Sequence, residues 1–112
     1  MDKLKVTIYS REYVNRLMEL IKLHNELDTL ATQHSGYAKQ YLELMQMGDQ
    51  LPQQVREDAL KEVRRCRENL NSQEQDIERS IERKNEEFLA AAKHFEEVGG
   101  KPSTEWVKKA SK

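Results

Sequence analysis

The sequence predicts an all-α fold: a long antiparallel helical hairpin, coiled-coil-like, with a short extended N-terminal arm and a short C-terminal helix. Three observations predict it. Helix-breaking residues are few, apolar residues recur at alternating steps of four and three, and charge is dense but balanced. The four Gly and two Pro of the 112 residues stand at Gly36, Gly48, Pro52, Gly99, Gly100 and Pro102, so long stretches between them are free to be helical.

At the start, Leu4-Lys5-Val6-Thr7-Ile8 alternates apolar with polar and contains β-branched side chains, so residues 1–10 read as an extended arm. Ser10 suits an N-cap and Tyr9 can staple onto Val14, which predicts a first helix over 11–47. Its seam is expected at Tyr13, Leu17, Leu20, His24, Leu27, Ala31, His34, Ala38, Tyr41 and Met45. Gly48 can take the left-handed conformation that ends a helix, and Pro52 opens the next one without losing a needed N–H, leaving 48–52 as the loop. A break at Ser35-Gly36, giving a three-helix body, is the alternative for the first helix.

The second helix is expected over 53–98, stopped by Gly99-Gly100. Its apolar line, Val55, Ala59, Val63, Cys66, Leu70, Gln73, Ile77, Ile81, Lys84, Phe88, Ala91, Phe95 and Val98, twice takes two steps of four in succession, which predicts stutters. It is also expected to outrun the first helix, with the arm covering the overhang. So short a loop makes the helices antiparallel neighbours and sets Tyr13 near Phe88, His24 near Ile77 and His34 near Cys66–Arg67. Residues 99–112 form a basic tail, four lysines against Glu105, in which Ser103 caps a helix over Thr104–Ala110.

Net charge is −1, from 19 Lys+Arg and 20 Asp+Glu, which argues against a chain held on nucleic acid or anionic lipid by bulk electrostatics. No apolar run reaches the roughly 18 residues of a membrane span and no secretion-signal pattern is present, so a cytoplasmic protein without membrane contact is expected. The single cysteine, Cys66, cannot form an internal disulfide, which agrees with a reducing compartment.

Candidate partner-binding residues come from a second apolar line beside the first seam: Leu23, Leu30, Tyr37 and Leu44 at heptad spacing. Each would contribute about 1.5–3 kcal/mol if a neighbour buried it. Trp106, a large amphipathic ring on the tail, is the other candidate anchor. Leu23, Leu30, Tyr37 and Leu44 would equally serve a self-assembling structural subunit, a homodimeric four-helix bundle. Arg64, Arg65 and Arg67 are possible nucleic-acid contacts, although Glu57, Glu62 and their neighbours have the spacing to pair with the bases intrahelically.

Chemistry has few candidates. His24 and His34 fall about 15 Å apart along one helix, too far to share a metal. Cys66 near His34 would make a thiol–imidazole pair, but two straight helices supply no oxyanion hole. No catalytic, metal or cofactor site and no small-molecule substrate is expected. Over 11–98 the outline is similar to the helical hairpins of export-apparatus stalk proteins, secretion chaperones, adaptor modules and small phage-encoded regulators, with no motif that selects among them. The expectation is a non-enzymatic protein–protein interaction module.

Overall fold

The computed structural model describes residues 2–112, the side chain of residue 49 apart, and is 90% helical with no strand among the described residues. Two helices of 45 residues each, α1 (Lys3–Met47) and α2 (Gln53–Glu97), pack as a hairpin, and a seven-residue helix, α3 (Thr104–Ala110), follows. A 3₁₀ turn at Gly48–Gln50 joins the long helices.

Local backbone chemistry accounts for most of the boundaries. Gly48 has φ 50°, and the Leu51 N–H donates to its carbonyl at 3.5 Å to close the turn. Pro52 stands just before α2 and its carbonyl accepts from Arg56 N at 3.1 Å, the first bond of the helix. At the other end Gly99, with φ 92°, donates to Glu96 O at 3.0 Å while Gly100 donates to Phe95 O at 2.9 Å. That pair of bonds is the Schellman closure, which demands a residue free of the Cβ penalty at the left-handed position. A Cβ on Gly100 would collide with the Phe95 ring, so the second glycine answers a packing need. Ser103 caps α3 as expected, its Oγ accepting from Trp106 N at 3.3 Å.

The extended arm is not formed. Residues 3–10 are the first turns of α1, and the cap is Asp2, whose Oδ1 accepts from Leu4 N at 3.0 Å. A lone strand leaves its N–H and C=O groups without partners, whereas a helix satisfies them locally, and this decides against the five-residue alternation. Ser10, the expected cap, sits inside the helix and returns its Oγ–H to Val6 O at 2.7 Å. Tyr9 stacks on His94 at 4.9 Å instead of stapling Val14, which is exposed. Because α1 starts at residue 3, α2 does not outrun it. Gly36 causes no break either, since α1 is continuous through it.

The chain divides into two compact units, one of Met1–Asn25 with Glu78–Lys112 and the other of Glu26–Ile77. In the first, α1, α2 and α3 enclose a core of Tyr13, Leu20, Phe88, Ala92 and Ala110, with Leu17, Leu89, Phe95, Trp106 and Val107 packed against it. The Tyr13 ring stacks on Phe95 at 4.4 Å, and its hydroxyl accepts from Ser103 N at 2.8 Å. The aromatic that anchors the hairpin thus also ties down the start of α3. In the second unit the buried side chains are Leu60, Val63 and Leu70, all from α2.

Burial shows where the seam runs. Along α2 and the residue just past its end, every position of the series Arg56, Leu60, Val63, Arg67, Leu70, Glu74, Ile77, Ile81, Lys84, Phe88, Ala91, Phe95 and Val98 is buried or half-buried. Its steps alternate four and three without interruption, so the predicted stutters are absent. Val55 and Gln73, both expected on the seam, are exposed. The true columns were hidden because Arg56, Arg67 and Glu74 occupy them; Lys84, read on the line, is half-buried there as expected. Long charged side chains can lay their hydrocarbon stems along a seam and put the head at its edge.

Candidate interaction surface

Leu23, Leu30, Tyr37 and Leu44 are all half-buried, in a series with Tyr9 and Arg16 that alternates with Tyr13, Leu20, Leu27, His34 and Tyr41 along α1. They form the second column of the hairpin's own seam, so they are not a spare face. Within the second unit the expected column holds only at Ala38, which is half-buried, and fails at Ala31 and Met45, which are exposed. In the first unit that same column, Leu17 and His24, is half-buried, and its neighbour is α3: Leu17 packs on the core that α3 completes and His24 meets the edge of Trp106 at 5.1 Å. Trp106 is therefore placed on its own chain, half-buried, with Lys109 Nζ over its ring at 4.6 Å.

The expected pairing holds for Tyr13 and Phe88, whose rings lie 5.7 Å apart. Elsewhere it slips. His34 lies beside Glu74, with Nδ1 and Oε1 3.4 Å apart, two turns beyond the Cys66–Arg67 position predicted for it. Side chains lean toward the N-terminus of their own helix, so in an antiparallel pair a long α1 side chain meets an α2 residue further along than the backbone level suggests. The Glu74 oxygen is buried and makes no hydrogen bond of good geometry, leaving the contact with His34 as its compensation.

No thiol–imidazole pair forms. Cys66 Sγ–H instead donates to Glu62 Oε1 at 3.8 Å, and the thiol lies near Tyr37 of α1. The Cys66 contact, followed by nearby charge and partial burial, raises the Tyr37 phenol above its ordinary 10.0. Glu62 is held by a hydrogen bond and ion pair to Arg65, which lowers its carboxyl and raises the guanidinium.

The three arginines of the basic run consequently have three different surroundings. Arg65 is committed to Glu62, and Arg67 is on the seam with its guanidinium 5.9 Å from the Tyr41 ring centre. Arg64 is exposed, beside a shallow depression shared with Arg67, Glu68 and Asn71. In the first unit a four-charge cluster bridges α1 and α2, with Arg16 to Glu87 at 3.0 Å, Lys84 to Glu87 at 3.1 Å and Lys84 to Glu19 at 3.5 Å. The Lys84 hydrogen bond lowers the Glu87 carboxyl.

No family model matches this chain, and no curated protein or solved structure is significantly similar to it. Among the described residues no three His, Cys, Asp or Glu side chains group as a metal site would require, and no helix is long and apolar enough to cross a membrane.

Large apolar side chains are nevertheless exposed in two places. In the first unit they are Leu4, Ile8, Val14 and Met18 on α1, and in the second Leu42, Met45, Met47 and Val55 next to the turn. Beyond Val55, α2 exposes no large apolar side chain among the described residues. Sequence reasoning missed the first group because Leu4–Ile8 read as a strand. The available signal was a second four-and-three series, Leu4, Ile8, Arg11, Asn15, Met18 and Lys22, interrupted by polar residues.

Proposed function

We propose that this chain is a non-enzymatic protein–protein interaction module, an adaptor, chaperone or small regulator of the cytoplasm that works through helix faces. The carrying observation is the asymmetry between its long helices: α1 exposes Leu4, Ile8, Val14 and Met18 on the side away from its seam, whereas the outward side of α2 is polar. Scattered exposed apolar residues are ordinary, but a set gathered on one helix face marks a surface used for recognition. A helix face is read by packing another element against it.

The same distribution ranks the alternatives. A homodimeric bundle built on Leu23, Leu30, Tyr37 and Leu44 has little support, since the hairpin seam already occupies those residues. Nucleic-acid binding through Arg64, Arg65 and Arg67 is weakened by the Glu62 ion pair and the seam position of Arg67. Native mass spectrometry of the tagged chain recovered gently from its host tests the reading. A stoichiometric foreign protein is expected; a bare monomer or a pure homo-oligomer would refute it.

A further inference from the structure

We infer that the outer face of α1 in the first unit seats an amphipathic helix of another protein, one that presents a carboxylate between apolar side chains to Arg11. The inference rests on the interaction-module reading and adds the chemistry of the partner. Leu4, Ile8, Val14 and Met18 are 66%, 51%, 47% and 62% exposed. At about 100° and 1.5 Å per residue they share an arc of about 120° and a length of about 21 Å, the footprint of one packed helix.

Arg11 falls in the middle of that arc and Lys22 continues it; both are exposed, and neither makes an ion pair among the described residues. Within the span from Leu4 to Met18 the one acid, Glu12, lies off the face and is half-buried; Glu19 is half-buried and engaged by Arg16 and Lys84, and Glu26 stands two turns beyond Met18. The face is therefore apolar and positive, with its charge at the centre.

That central charge discriminates among occupants. A second copy packed antiparallel with Leu4 on Met18 and Ile8 on Val14 would bring Arg11 onto Arg11, a like-charge contact at the heart of the interface. A bilayer favours helices whose bases flank the apolar stripe and snorkel outward, but Arg11 would have to enter with the apolar side chains. A partner helix with Glu or Asp at the matching position meets both demands. Its carboxylate takes the guanidinium through two parallel hydrogen bonds while the surrounding apolar contacts exclude water. An arginine ringed by apolar contacts is the usual make-up of an interaction hot spot.

The test uses the full chain and two fluorescein-labelled synthetic helical peptides of about three heptads, with Leu at the seam positions and either Glu or Lys at the central one. In fluorescence anisotropy the Glu peptide is expected to bind at least tenfold more tightly than the Lys peptide. Arg11→Glu should reverse that preference, and Met18→Lys should weaken both peptides at least tenfold with the helical circular dichroism unchanged. Equal binding of the two peptides, or none, overturns the inference. So does Met18-dependent binding to phosphatidylserine vesicles, or a dimer in sedimentation that Met18→Lys dissolves. A stoichiometric partner that persists on the Arg11→Glu chain would sink this inference alone, whereas recovery of the bare chain would sink the module reading itself.

Discussion

Leu20 and Leu27 stand one heptad apart in the same column of α1, yet Leu20 is 0% exposed and Leu27 is only half-buried. Leu20 belongs to the unit that has α3; Leu27 belongs to the unit built from α1 and α2 alone. Two helices cover a seam from one side and leave both flanks wet. A third helix of only seven residues closes a flank, and Leu20 and Phe88 become the two fully buried large side chains. In the second unit α1 contributes no buried residue between 26 and 47, although its seam holds Leu27, Leu30, Tyr37, Tyr41 and Leu44. Apolar content does not separate the units; the number of neighbours does.

The sharpest way to break this comparison is to excavate both cores. Phe88→Ala should lose about 3–5 kcal/mol, because a fully enclosed ring leaves a cavity, while Leu70→Ala should lose about 2 kcal/mol, since its surroundings are open enough to relax. Equal losses in urea denaturation would show that α3 does not set the difference. Truncation before Ser103 removes Trp106, Val107 and Ala110 from the first core and should cost about 2–4 kcal/mol by the apolar area returned to water. Amide exchange at 13–24 should then rise to the rates of 27–44; unchanged protection there would contradict the role given to α3.

In the second unit stabilisation is available. Glu74→Leu replaces a buried carboxylate oxygen that lacks a good hydrogen bond, and it should raise stability by about 1 kcal/mol, with exchange slowing in that unit only. Gly36→Ala should add up to about 1 kcal/mol, since the position is helical and an added Cβ meets nothing within 4 Å. A lower melting temperature would place a break in α1 after all.

The smallest effect concerns pH. The Glu87 carboxyl lies below its ordinary 4.5 because of Lys84, so its contribution is present above the unfolded value and fades as pH falls through the folded one. The stability gap between the parent and Glu87→Gln should narrow between about pH 7 and pH 3, and a gap that widens on acidification would have the wrong sign.

What could be read beforehand was what neighbouring residues along the chain decide. Gly48 and Pro52 marked the turn, Gly99-Gly100 the end of α2 and Ser103 the start of α3, because caps and left-handed positions are properties of a few consecutive residues. Asp2 is a signal of the same local kind, its Oδ1 accepting from Leu4 N, but the alternation at 4–8 points to a strand instead.

By itself, then, the sequence determined an all-helical hairpin, its turn and its terminal helix, since backbone propensity and capping act within a turn or two. Only the tertiary structure decided which columns form the seam, because Arg56, Arg67 and Glu74 are counted as surface by polarity yet lie between the helices. It also decided which apolar side chains stay outside. Leu23 and Leu30 read no differently from Leu4 and Met18 as letters; a neighbouring helix covers the first pair, and none covers the second.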